Sequence, residues 1–228
     1  MKMMKKVAVI LASMVLLGTA AFAKSNFTAI SLSIPTNMVT ETISQYGTKL
    51  GDFKFKYNSI GFGITSIQDS VFSTVDLSFV NKTTATLFNA TPSTSKPKDS
   101  NATWMFCNAL IGFPFNIIDN GTIQFVLAPG FHVSMYSLSF KNYNDERYLG
   151  LYLGAGAEAM FNYYLGGFCI SAGLGFGYDL WGMDRYGDTV WNLFNYAYWL
   201  NYGSYIEGYE TKYKNISIKP RIGVGFNW

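Results

Sequence analysis

NISIKPRIGVGFNW, residues 215–228, is the stretch that decides the fold. Every second residue from Ile216 to Trp228 is apolar, and the residues between them are polar, charged or glycine. A period of two is the pattern of a β-strand with one apolar and one polar face. A strand needs about 9–11 residues to cross a bilayer at a tilt. The stretch therefore predicts a membrane-spanning β-strand.

The first residues of the chain have the pattern of a secretory signal peptide. Three lysines precede an apolar run from Val7 to Leu17, and the small-residue motif Ala21-Phe22-Ala23 follows. A spanning helix needs about 20 apolar residues, so this run is too short to be a membrane anchor. We expect a signal peptide over residues 1–23 and one domain over residues 24–228.

The composition argues against both a soluble domain and a nucleic-acid-binding protein. The predicted signal contains three of the 17 Lys and Arg residues, so the remaining basic residues equal the 14 acidic ones in number. A mature chain without net charge gives no reason to expect a nucleic-acid partner. Charged residues make up 14% of the sequence, whereas soluble domains contain about 25%.

Alternation of apolar residues recurs along the chain and predicts eight strands. Their expected ranges are 27–34, 52–66, 70–80, 102–115, 122–140, 148–162, 168–179 and 215–228. Long connections are expected at 36–51, 81–101, 141–147 and 182–211, and short turns follow the even-numbered strands. Long loops at one end and short turns at the other are typical of transmembrane barrels, with both termini on the periplasmic side.

One predicted strand has an irregular pattern. In 52–66 the apolar residues change parity, from the odd positions Phe53, Phe55 and Tyr57 to even positions from Ile60 onward. Such a change predicts a β-bulge, which the glycines at 61 and 63 would accommodate.

The second face of the strands distinguishes a membrane barrel from the alternatives. Five glycines within 166–177 and a spacing of two disfavour spanning helices. A soluble barrel would carry many Lys and Glu on its outer face, but the second face here is Gly, Ser, Asn and few charges. We therefore predict an all-β, eight-stranded antiparallel up-and-down transmembrane barrel with its apolar face outward and a crowded lumen.

The polar face carries five charges that form a predicted lumen charge network. They are Asp76, Glu158, Asp179, Lys219 and Arg221. An enclosed charge is costly unless it is paired, so we expect Glu158 or Asp76 to meet Arg221 or Lys219, with Asp179 nearer the outer mouth. A gated ion path and an internal salt-bridge plug are both open, and a small filled barrel favours the plug.

The connection 182–211 is rich in aromatic residues and is the predicted external aromatic loop. Its members are Trp191, Phe194, Tyr196, Tyr198, Trp199, Tyr202 and Tyr205. Some of these rings would form an interfacial belt, since Trp and Tyr favour the headgroup level. The others would suit contacts with an external ligand, such as a sugar, a peptide or a host surface.

The two cysteines fall on predicted strands that are not neighbours. Cys107 lies on the fourth strand and Cys169 on the seventh. A disulfide needs Cα atoms within about 7 Å, so we expect two unpaired, buried thiols.

The motif from His132 to Ser134, with Glu146 twelve residues later, is similar to the catalytic set of outer-membrane lipid A deacylase barrels. That resemblance implies a lipid-modifying enzyme in which His activates Ser. In that family the site faces lipid, whereas His132 falls on the polar face and Glu146 in a loop. We therefore expect no catalytic residues, and no metal or cofactor motif is present in the sequence.

At whole-chain level the sequence resembles small eight-stranded outer-membrane proteins of the OmpA/OmpX/OmpW type. Its terminal aromatics Phe226 and Trp228 look like the assembly signal of such barrels. The resemblance implies the bacterial outer membrane as location, outer-membrane lipid and the barrel-assembly machinery as partners, and a monomer. It implies a structural or adhesion role through surface-exposed loops. The alternatives are a narrow porin-like channel for small or hydrophobic molecules, and a lipid-modifying enzyme.

Overall fold

The computed structural model describes residues 26–87, 93–95, 103–140, 146–186, 190–193, 196–199 and 204–227. Thirteen strands lie in these ranges: β1 Phe27–Ser33, β2 Thr36–Gln45, β3 Thr48–Gln68, β4 Val71–Leu87, β5 Ser93–Ser95, β6 Thr103–Gly112, β7 Phe115–Asp119, β8 Ile123–Phe140, β9 Glu146–Leu165, β10 Phe168–Tyr186, β11 Val190–Leu193, β12 Tyr196–Trp199 and β13 Ser204–Asn227. Within the same ranges, no helix has the length and apolar character needed to cross a membrane.

The strands close into a ring of eight. β1 and β2 form the first barrel strand, with a break at Ile34 and Pro35, and β6 and β7 form the fourth. The other six are β3, β4, β8, β9, β10 and β13. β13 pairs with β10 on one side and with β1 and β2 on the other, so no barrel strand is left with a free edge. All of these pairings are antiparallel. Each of the eight barrel strands pairs with the next one in sequence, and the last closes on the first, which confirms the predicted up-and-down barrel.

The apolar faces point outward, as predicted. On β13, Ile222 is 61% and Val224 63% exposed. Lys219, which lies nearer the loop end of the same strand, is 1% exposed. The outward apolar residues of this strand run from Ile216 to Phe226, which is about 34 Å along a strand. At a tilt of about 45° they cover about 24 Å, close to the apolar band of a transmembrane barrel. This surface therefore contacts lipid acyl chains.

Three predicted connections are wrong in part because the strands continue beyond the membrane. In 81–101, β4 extends to Leu87 and the short strand β5 pairs with it. β2 occupies most of 36–51, and only Tyr46 and Gly47, both with positive φ, form the turn to β3. In 182–211, β10 extends to Tyr186, the β11–β12 hairpin follows, and β13 begins at Ser204. Outside lipid neither face must be apolar, so the alternation fades while the backbone pairing continues.

The predicted bulge near Gly61 and Gly63 is also wrong. Tyr57 is buried on the lumen side together with the odd-numbered residues that follow it, so β3 keeps one parity. The register shift lies between Asn58 and Ser59, where the partner strand β4 carries the extra residue Asn81. Phe55 and Tyr57, toward the loop end of β3, therefore face the lumen.

Candidate functional site in the barrel lumen

The lumen near mid-height contains an arginine cluster. Arg221 Nη2 donates to Asp76 Oδ2 at 2.9 Å, and Arg221 Nε lies 2.9 Å from Glu158 Oε1 in an ionic contact. Arg221 Nη1 also donates to the hydroxyls of Thr65 and Thr74. The side chains of the three charged residues are at most 2% exposed. One guanidinium thus contacts two enclosed carboxylates, which project from β4 and β9.

A histidine cluster lies next to it, toward the loop end. His132 Nδ1 is 2.7 Å from Asp179 Oδ1, and His132 Nε2 is 3.3 Å from both Ser217 Oγ and Lys219 Nζ. An ammonium can only donate, so Nε2 accepts and the ring proton is assigned to Nδ1, which donates to Asp179. Asn215 Nδ2 donates to Asp179 Oδ2 at 2.8 Å. His132 is therefore clamped from both sides.

Lys219 connects the two clusters. It is 1% exposed, and besides His132 it lies in electrostatic range of Asp76, Glu158 and Asp179. Carboxylates on three sides offset the cost of enclosing its ammonium. The five residues of the predicted lumen charge network thus lie in one connected group, with Asp179 toward the loop end.

Above the histidine cluster, an aromatic layer fills the lumen. Its members are Val39, Tyr57, Val80, Phe106, Tyr136, Tyr152 and Tyr213. The ring centroids of Tyr136 and Tyr152 are 5.3 Å apart, and their hydroxyls are 2.6 Å apart. Glu41 accepts from the Tyr152 hydroxyl at 3.1 Å. Tyr57, Tyr136 and Tyr152 are each at most 1% exposed, so these rings close the lumen toward the loops.

A second apolar layer closes the periplasmic end. Its members are Phe27, Ala29, Ile67, Phe72, Leu110, Val126, Ala128, Met160, Tyr164 and Cys169. Within it, Gln124 Oε1 accepts from Asn162 Nδ2 at 2.9 Å and from the Tyr164 hydroxyl at 2.7 Å. The charged clusters are therefore enclosed between two packed layers.

Glycines make room for these side chains. A Cβ on Gly177 would strike the His132 imidazole and Ser217 Oγ, and a Cβ on Gly150 would strike the Tyr136 ring. A Cβ on Gly175 would lie 2.5 Å from Glu158 Oε2. The predicted crowded, glycine-lined lumen is confirmed at these contacts.

The similarity to a His–Ser catalytic set does not extend to the geometry of the lumen. Ser134 Oγ donates to Asn108 Oδ1 at 2.9 Å and accepts from Asn215 Nδ2 at 3.0 Å, while His132 contacts Asp179 instead. The side chain of Glu146 lies outside the described residues. Among the described residues, no group of three or more His, Cys, Asp or Glu is placed to hold a metal ion.

The external aromatic loop is described only in part. Trp191, Tyr196, Tyr198 and Trp199 lie on the backbone of the β11–β12 hairpin and Tyr205 lies on β13, but their side chains are outside the described residues, as are Phe194, Tyr202 and Trp228 altogether. Phe226 of the expected assembly signal is 55% exposed and packs on Phe168, with ring centroids 4.8 Å apart.

Both cysteines are free, as predicted, but the expected burial is wrong for Cys107. Cys169 is buried in the periplasmic apolar layer, and Cys107 is half-buried on the outer face of β6.

Two features of the lumen were not predicted from the sequence. Glu41 lies in a segment predicted to be a polar connection, and the aromatic layer consists of residues that resemble lipid-facing ones. The sequence feature that would have identified the aromatic layer is the parity of residue numbers, since inward-facing positions alternate along a strand. Tyr136 and Tyr152 share the even positions of His132 and Glu158, and Tyr213 shares the odd positions of Lys219.

No protein-family model matches the sequence, and no curated protein matches it. Among solved structures, the chain aligns with the outer membrane protease OmpT from Escherichia coli, with a TM-score of 0.49 and 9% identity over 90% of this chain and 97% of that one. It aligns with Neisserial surface protein A with a TM-score of 0.39 and 10% identity, over 86% and 97% of the two chains. For the outer membrane protein AlkL, the TM-score is 0.44 and the identity 8%, over 92% of each chain.

The identification rests on this chain's own geometry. It has a closed ring of eight antiparallel barrel strands, an apolar outer face of membrane thickness and a polar lumen enclosed between packed layers. The chain is an eight-stranded antiparallel transmembrane β-barrel.

Proposed function

We propose that this protein is a non-conducting, non-catalytic outer-membrane barrel that supports surface-exposed segments for contact with external ligands. The observation that carries the proposal is the filled lumen. The arginine and histidine clusters pair their charges internally, and packed layers cover them at both ends. A conduit would need a continuous wet path past these side chains.

The extension of the strands beyond the membrane supports the interaction role. β2 and β3 continue to the turn at Tyr46 and Gly47, and β13 pairs with β2 up to Gln45. The β11–β12 hairpin pairs with the outer parts of β10 and β13. Backbone pairing of this kind places β11 and β12, which carry several of the aromatic residues, on a sheet that continues the barrel wall.

Planar-bilayer recording tests the non-conducting role. We expect the wild-type protein to give no steady conductance, whereas the double substitution Tyr136→Ala and Tyr152→Ala, which empties much of the aromatic layer, gives small openings. Steady wild-type conductance that changes with Glu158→Ala would favour the narrow channel instead.

Whole-cell binding tests the interaction role. Cells that express the wild-type barrel should bind members of a panel of immobilised polysaccharides and matrix proteins. Replacement of residues 191–202 by a Gly-Ser linker should abolish that binding while the barrel still folds. Equal binding by both cell types would contradict the proposal. A lipid profile that changes on expression, and no longer changes with Ser134→Ala, would favour the lipid-modifying enzyme.

A further inference from the structure

Among the described side chains, the outward lysines are concentrated on one face of the barrel. Lys54 and Lys56 project outward from β3, and Lys212 and Lys214 project outward from β13, and all four are exposed. The strand β2 lies between them and carries Thr40 and Thr42 on the same outer face. We call these four lysines the basic patch.

The register places the basic patch in a compact area. Lys54 and Lys214 both pair with Thr40, from opposite sides of β2. Strands are about 4.8 Å apart, so their Cα atoms are about 10 Å apart. Lys212 lies two residues from Lys214 along β13, and Lys56 lies two residues from Lys54 along β3, a distance of about 7 Å in each case. Four ammonium groups thus share a surface about the size of one or two lipid headgroups.

The basic patch begins where the apolar band ends. On β13, the outward series passes from Ile218 and Ile216 directly to Lys214. On β3, it passes from Ile60 through Asn58 to Lys56, and Asn58 pairs with Thr36, which also pairs with Ile218. Lys56 and Ile216 both pair with Met38, so the two transitions fall within two residues of each other along the strands, about 7 Å, at the edge of the apolar band toward the loop end.

Aromatic rings border the patch on the β10 side. Lys214 Nζ lies 5.5 Å from the centroid of the Tyr178 ring. Trp181 projects outward and is 47% exposed, beyond a register shift that follows Asp179. Trp and Tyr favour the boundary between acyl chains and headgroups, so their position agrees with the height deduced from the strands.

Acidic neighbours leave most of the positive charge uncompensated. Among the described side chains on the outer faces of β2, β3 and β13, Asp52 is the one acidic residue. Its Oδ2 atom lies 2.9 Å from Lys49 Nζ and 3.9 Å from Lys54 Nζ, so it is shared with a lysine outside the patch. An exposed surface with this excess of cations attracts anionic groups.

We propose that Lys54, Lys56, Lys212 and Lys214 form a binding surface for anionic, phosphate-bearing lipid headgroups of the leaflet around the loop end. The acyl chains of such a lipid lie against the apolar band directly below, and its phosphate lies among the ammonium groups. This inference requires only that the barrel is inserted in a membrane, and it is independent of the proposed role of the outer segments.

Quenching of Trp181 by brominated lipids tests the proposal. The probe is the refolded full-length protein in which Trp181 is the one remaining tryptophan, in vesicles of phosphatidylcholine mixed with phosphatidylglycerol. Brominating either lipid in turn gives their relative binding constant at the patch. We expect a preference of at least about fivefold for phosphatidylglycerol, the factor that one lysine contributes near a charged membrane surface. The preference should fall toward one in about 1 M salt.

The triple variant Lys54→Gln, Lys56→Gln and Lys214→Gln should reduce the preference to about one. The matched control Lys96→Gln, Lys98→Gln and Lys141→Gln removes the same charge elsewhere and should keep it. Both variants are first checked for the heat-dependent electrophoretic mobility of a folded barrel. If the patch variant does not fold, the proposal is tested by whether high salt removes the phosphatidylglycerol preference of the unsubstituted protein.

Four results would overturn the proposal. They are a ratio near one before substitution, a preference that survives in the patch variant, an equal loss in both triple variants, and loss of the preference on adding inorganic phosphate at the same phosphate concentration. Lysine-dependent binding of heparin in zwitterionic micelles, without a lipid preference, would instead assign the patch to a polysaccharide.

Discussion

Arg221→Met is the substitution whose effect the structure predicts in most detail. Methionine keeps much of the side-chain length but leaves Asp76 and Glu158 enclosed without the guanidinium that contacts both, and Lys219 is then the nearby cation. Arg221 lies 2.9 Å from an oxygen of each, and the three side chains are at most 2% exposed. Removing one partner from a buried ion pair costs about 3–5 kcal/mol, and here one cation serves two carboxylates. We therefore expect the free energy of unfolding to fall by about 4 kcal/mol.

Reversible urea unfolding in phosphatidylcholine vesicles, followed by tryptophan fluorescence and by electrophoretic mobility, measures this loss. A variant that combines Arg221→Met with Asp76→Asn and Glu158→Gln removes all three charges and should recover most of it. Lys56→Gln, on the exposed outer face, should change stability by less than about 0.5 kcal/mol. A loss below about 1 kcal/mol for Arg221→Met, or a triple variant less stable than the single one, would refute the reasoning.

Three further predictions concern other parts of the barrel. Gly177→Ala places a Cβ against the clamped His132 ring and should lower the unfolding free energy by about 1–3 kcal/mol, as measured by the same urea titration. Lys49 holds the pKa of Asp52, beyond the membrane, below its ordinary value. The ion pair should thus protect hairpin amides from exchange above about pH 4 and lose this effect as pH falls through the lowered pKa, while Lys49→Gln should raise that pKa in an NMR titration. Alkylation of the unfolded, unreduced protein should modify Cys169 and the other cysteine alike, because neither forms a disulfide.

For the parts of the strands with one face against lipid, the sequence was sufficient to predict the strands and which face points outward. Ile222 and Val224 must be apolar because they contact acyl chains, and Lys219 must face inward because a lysine in hydrocarbon is costly. Beyond the lipid this constraint ends. The segment 36–45 therefore looks like a connection, although its backbone continues the barrel wall.

The lumen was harder to predict than the wall. Charge pairing identified the residues around Arg221, because enclosed charges need partners. The aromatic layer could not be recognised by residue type, since Tyr57 or Tyr152 is equally compatible with a lipid-facing position. Which carboxylate meets which cation depends on the stagger of strands across the ring, and apolar spacing along one strand does not contain that information.

The barrel wall has one arrangement: its apolar face contacts lipid and its polar face encloses a filled lumen. Spin labels at single cysteines along β13, in a background without native cysteines, test it most directly through collisions with oxygen and with a water-soluble nickel chelate. Labels at Ile218, Ile222 and Val224 should collide with oxygen and be shielded from nickel, while a label at Ser217 should be shielded from both. Strong nickel access at the isoleucine positions, or oxygen access at Ser217 equal to that at Ile218, would contradict it.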